Sequence, residues 1–251
     1  MFNRLAIAKT LRPLLLAGVA ALALSACASN RGQMSAADYP SMGQANIGEL
    51  TARYRANPKD RGLVIHYAAA LRAAGQPQQA AAALEQAMGH HPDDVALSVA
   101  YAKALTASGR FEQSLEVLRN VIRPDAPDWN ALLVMGATLD QMGRHDQARQ
   151  IYRQASVIAP GEASIETNLG LSYAMTNELA TAETHLRRAV QMRGASTQTR
   201  QNLALVVGLQ GRFQEARALY AAELPPEQVE SNMAYIRALL TQQNRWEMIE
   251  K

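Results

Sequence analysis

The chain has 251 residues, 48% hydrophobic and only 5% aromatic, with 25 Lys+Arg, 22 Asp+Glu and one cysteine. The whole cationic excess lies in Arg4, Lys9 and Arg12, so the remainder is neutral and gives no electrostatic case for binding nucleic acid. One cysteine excludes an intramolecular disulfide, and an Ala- and Leu-rich chain poor in aromatics suits packed helices better than a β-sandwich.

Residues 1–26 carry three cations, no acid, and a 13-residue apolar run, "LLLAGVAALALSA". A basic start, a short apolar stretch and small residues at its end predict a secretory signal. The run is too short to span a membrane, which takes about 20 apolar residues. Leu24-Ser25-Ala26-Cys27 resembles a bacterial lipobox. That resemblance implies cleavage before Cys27, a diacylglyceryl group on its sulfur and an acylated new amino terminus. The alternative is a plain secretory signal with an incidental cysteine. The absence of any disulfide partner favours lipid attachment at Cys27, and two or more acyl chains make a stable anchor. Ala28 and Ser29 follow, with no Asp at the second mature position. By the same resemblance the expected address is the periplasmic face of the outer membrane.

Residues 27–45 are small, polar and without periodicity, and read as a flexible tether with an r.m.s. reach of about 23 Å. Residues 46–60, "NIGELTARYRANP" with its flanks, read as a capping helix.

A 34-residue period begins at Arg61. It gives repeats at 61–94, 95–128, 129–162, 163–196 and 197–230, with no insertion or deletion. The eighth position reads Ala68, Ala102, Gly136, Gly170 and Ala204, and the twentieth Ala80, Ser114, Ala148, Ala182 and Ala216. Small residues at these positions predict a close crossing of two helices, where a large side chain would overpack by about 1–3 kcal/mol. The fifteenth reads Gly75, Gly109, Gly143, Asn177 and Gly211, residues that accept the left-handed conformation ending a helix. The seventh and eleventh positions, such as Tyr67 and Leu71 or Leu203 and Val207, recur at helical spacing as an apolar face. Pro225-Pro226 opens a stretch that then turns helical, and residues 226–251 read as a C-terminal cap.

These positions resemble the tetratricopeptide repeat, over about residues 61–230. Pro92 and Pro160 occupy the family's proline position, while Ala126 and Gly194 depart from it, and "RPDAPD" replaces the usual link before the third repeat. The resemblance implies an all-α fold: a solenoid of helical hairpins wound as a right-handed superhelix, here preceded by the signal and tether. It also implies a concave groove lined by first helices. In the groove's front it places Ile65, His66, Arg72, Val99 and Lys103. Further along it places Asn130, Leu133, Val134, Asp140, Asn168, Leu171, Met175, Gln201, Asn202 and Leu205. Asn168 and Asn202 share the sixth position of adjacent repeats. Two readings stand for them: amides that hold a peptide main chain, or residues that cap and solvate the groove wall. Leu171, Met175 and Leu205 are either an apolar floor for a ligand or packing between repeats. A carboxylate clamp would need several cations, and only Arg72 and Lys103 are available.

No catalytic residue, metal site or cofactor is expected. "GHHPDD" offers His90, His91, Asp93 and Asp94, but they lie in an inter-repeat link with a structural proline. There is no phosphate loop, nucleophile elbow or His-Glu-x-x-His helix.

The layout of lipobox, tether and repeats, with "NLALVVGLQGRFQEARALYAAELPPEQVESNMAYIRALL" near the end, resembles the TadD family of tight-adherence (Flp) pilus lipoproteins. That implies a non-enzymatic adaptor binding pilus or secretin components. Two alternatives stay open: an adaptor for envelope proteases or peptidoglycan enzymes, and an enzyme acting on the cell wall.

Overall fold

The structure, a computed structural model, describes residues 47–249, with side chains through 242. The expected signal and tether, with Cys27, lie outside the described residues. The described residues are helical and include no strand. In chain order the helices are α1 (Ile47–Ala56), α2 (Arg61–Ala73), α3 (Pro77–Met88), α4 (Val95–Ala107), α5 (Phe111–Val121), α6 (Trp129–Gln141), α7 (His145–Ile158), α8 (Ala163–Met175), α9 (Leu179–Gln191), α10 (Thr197–Leu209), α11 (Phe213–Ala221) and α12 (Pro226–Ile249). They form two compact units, one ending at Pro160 and one starting at Gly161.

Each hairpin begins and ends on local chemistry. Asp60, Asp94 and Asp128 stand just before the first helices of three successive repeats. Their carboxylates accept from the backbone N–H of Leu63, Leu97 and Ala131 at 2.9, 2.8 and 2.7 Å. Ser196 does the same for Thr199 at 3.1 Å. Such a cap typically contributes about 1 kcal/mol. Glu162 holds the equivalent place before α8 without a side-chain cap, one methylene too long for the role.

The first helices stop at the fifteenth position. Gly75, Gly109, Gly143 and Gly211 have φ of 74°, 77°, 73° and 82°, and Asn177 joins them at 62°. The next residue then donates back to the helix: Gln76 to Leu71, Arg110 to Leu105, Arg144 to Leu139 and Glu178 to Tyr173, each at 2.9 Å. This 6→1 bond satisfies a terminal carbonyl and turns the chain into the second helix.

In the first unit, α2, α4 and α6 pack on one another in sequence, and α3, α5 and α7 back them. Leu50 of α1 joins the core of Val64, Tyr67, Leu71, Leu84 and Leu97. Tyr54 of α1 stacks on Tyr67 with ring centroids 4.8 Å apart, which seats α1 as a cap on α2. The "RPDAPD" link closes through Ala126 N–H to Arg123 carbonyl at 3.3 Å and an Arg123–Asp125 ion pair at 2.7 Å.

In the second unit, α8 and α10 pack together over α9 and α11, and α12 covers α10 and α11 with Val229, Met233 and Ile236. The 34-residue phase would start α12 at residue 231, yet it starts at Pro226 after an α11 of only 9 residues. Proline at the first helical position lacks the N–H that the helix would leave unpaired anyway, so Pro226 favours this early start. Gly194, at the proline position of other repeats, has φ of 83°, a conformation proline cannot take.

Candidate functional site

The small residues of the eighth and twentieth positions, Ala68, Ala80, Gly136, Ala148, Gly170, Ala182, Ala204 and Ala216, are all buried. Gly170 shows why size matters. A Cβ on Gly170 would stand 2.7 Å from Leu186 Cγ and 3.0 Å from the Ala182 carbonyl oxygen. The partners across the hairpin form a row that sequence reading missed: Leu84, Leu118, Tyr152, Leu186 and Tyr220, each 34 residues after the last and each buried.

The first helices carry the residues assigned to the groove. Asn130 is half-buried and accepts from Lys103 Nζ at 3.3 Å. Gln201 is half-buried. Val99, Leu133 and Val134 are buried, and so are Asn168, Leu171, Met175, Asn202 and Leu205, which retain 3, 2, 6, 1 and 2% of their exposure. Such burial favours the packing reading of Leu171, Met175 and Leu205 over an apolar floor for a ligand. The amides are engaged along their own helices. Asn168 Nδ2 donates to the Ser164 carbonyl at 2.8 Å, and Asn202 Oδ1 accepts from Gln198 Nε2 at 3.1 Å. Asn202 Nδ2 has no hydrogen-bond partner among the described residues. Leu171, Met175 and Leu205 serve as packing at these positions.

Asp140, which the resemblance also assigns to the groove, is engaged within its own hairpin. Its carboxylate is buried and turned toward α7, where it meets His145 Nδ1 at 2.8 Å and accepts from the Tyr152 hydroxyl at 2.9 Å. It fastens the two helices of the third hairpin. In the fourth hairpin Glu166 meets His185 Nδ1 at 2.8 Å and Arg188 at 3.4 Å, and His185 stacks on Tyr173 at 5.3 Å. The His185 hydrogen bond, helped by the Arg188 charge, outweighs burial and holds the Glu166 carboxyl below its ordinary range.

Neighbouring first helices are also joined by buried hydroxyls. In the first unit Thr106 Oγ1 lies 2.8 Å from Thr138 Oγ1 and 2.9 Å from Ser114 Oγ. In the second, Thr167 and Thr199 meet at 3.1 Å. On the second unit's outer helices, Glu183 and Glu215 each pair with both Arg187 and Arg212, closing a ring of four charges.

The "GHHPDD" link is occupied by structural roles. His91 Nε2 sits 3.1 Å from the Lys59 carbonyl, and Asp94 caps α4 and pairs with Arg61. Burial pushes the Asp94 carboxyl up, but the Leu97 N–H and the Arg61 guanidinium outweigh it and hold the group below its ordinary range. Among the described residues no three His, Cys, Asp or Glu converge as a metal site. None of their helices is long and apolar enough to cross a membrane.

Two family models, both described as tetratricopeptide repeat, match residues 71–133 and 133–198. Together with the hairpin geometry these matches define the class: residues 71–198 of the chain are built of tetratricopeptide repeats. Comparison with curated proteins gives no match. Among solved structures, a thermophilic TPR protein of Thermus thermophilus is similar at 21% identity over 70% of this chain and 97% of its own, with a TM-score of 0.62. The Cut9–Hcn1 assembly of APC/C is similar at 14% identity over 80% of this chain and 40% of that one, with a TM-score of 0.60. Human IFIT1, solved as a dimer with m7Gppp-AAAA, is similar at 15% identity over 76% and 48%, with a TM-score of 0.60. At these identities the likeness is one of fold. Tetratricopeptide repeats are scaffolds for binding proteins rather than a catalytic fold, and on that ground this chain is a protein-interaction scaffold.

Proposed function

We propose that this scaffold is a lipid-anchored periplasmic adaptor that assists assembly of the Flp/Tad pilus secretion machinery, with the outer-membrane secretin as its foremost partner. One observation carries the reading: a single chain orders a lipobox ending at Cys27, a polar tether, five in-phase repeats and the 202–240 stretch that resembles TadD lipoproteins. The anchor confines the scaffold to one membrane surface. The repeats then supply the protein-binding part, and no catalytic group is asked of them. The neutral charge balance beyond the signal suits a protein partner rather than nucleic acid.

The test is in-cell crosslinking of the tagged full-length protein, with mass spectrometry of the captured envelope proteins and Cys27→Ser as the untethered control. Capture of a secretin or another pilus-assembly component, reduced in Cys27→Ser, is the expected result. Capture of proteases or peptidoglycan enzymes in their place would keep the adaptor and overturn its assignment to pili.

A further inference from the structure

We draw no further inference here: the strongest candidate, the open cleft of about 550 Å3 in the second unit between the first turn of α9 and the side chains of Leu209 and Leu240, lies beside a helix N-terminus, and nothing in the structure shows what covers it.

Discussion

Gly136 lies directly beneath the ring of Tyr152: a Cβ built on the glycine would stand 2.3 Å from Tyr152 Cε1. The ring has little room to withdraw, because it is buried and its hydroxyl is held by Asp140. Gly136→Ala is therefore expected to destabilise the protein by about 1–3 kcal/mol, the usual cost of overpacking. Gly170→Leu should do at least as much, because Leu186 and the Ala182 carbonyl crowd its Cβ position. Denaturant unfolding measures both, and an unchanged midpoint for either would show that the hairpins do not cross where these contacts put them.

The turn glycines offer a cleaner case. Nothing lies within 4 Å of the Cβ position at Gly143, and its φ is 73°. Gly143→Ala thus adds no contact and removes none. Its expected cost, about 1–2 kcal/mol, is the strain of a left-handed L-residue. Thermal unfolding of this variant beside an Ala substitution at an exposed helical site separates backbone strain from side-chain loss.

Capping gives a prediction in each direction. Asp94→Ala removes the bond to the Leu97 N–H and the pairing with Arg61, and should cost about 1 kcal/mol or somewhat more. Glu162→Asp should supply the cap that α8 lacks, since Glu162 already has the extended backbone of a cap residue, φ −85° and ψ 106°. A gain of up to about 1 kcal/mol is expected, read as a raised denaturant midpoint. A loss would mean that the shorter carboxylate fails to reach the first turn.

The pH dependence follows from Glu166. Its carboxyl is held below its ordinary value of 4.5 in the folded chain, first by His185 and then by Arg188. The unfolded state therefore binds the proton more tightly than the folded one, and stability rises with pH across that interval. This contribution is complete above the unfolded pKa and disappears as pH falls from about 4.5 through the lower folded value. Glu166→Gln should flatten part of the acid limb of the stability curve while leaving Asp94, Glu183 and Glu223, which are also depressed, to shape the rest. Unfolding followed at a series of pH values tests this, and an acid limb identical to the parent's would remove Glu166 from the account.

Much of the hairpin geometry was legible because it rests on backbone constraints that recur every 34 residues. A left-handed turn admits few residue types, so Gly75, Gly109, Gly143, Asn177 and Gly211 mark it without help from distant contacts. The capping residues Asp60, Asp94 and Asp128 carry the same period, but in "GHHPDD" one of them stands among histidines and invites a metal reading. The groove was less legible. Position along a helix sets the direction of Asn168 or Leu205, while exposure depends on what packs across the face, and that is not local. The Glu166–His185 contact joins residues 19 apart on different helices, so no single-helix pattern announces it.

The early start of α12 has a consequence for how such a chain can lengthen. Thirty-four residues after the turn at Gly211 the period reaches residue 245, which is Arg245 rather than glycine and falls inside the unbroken helix Pro226–Ile249. The helix therefore runs straight through the place where the period would put its next turn. A duplicated cassette would have to enter upstream of α11, between copies that still share the common register, where its ends would meet matching neighbours. Placed after α12 it would meet a helix already out of step with the period.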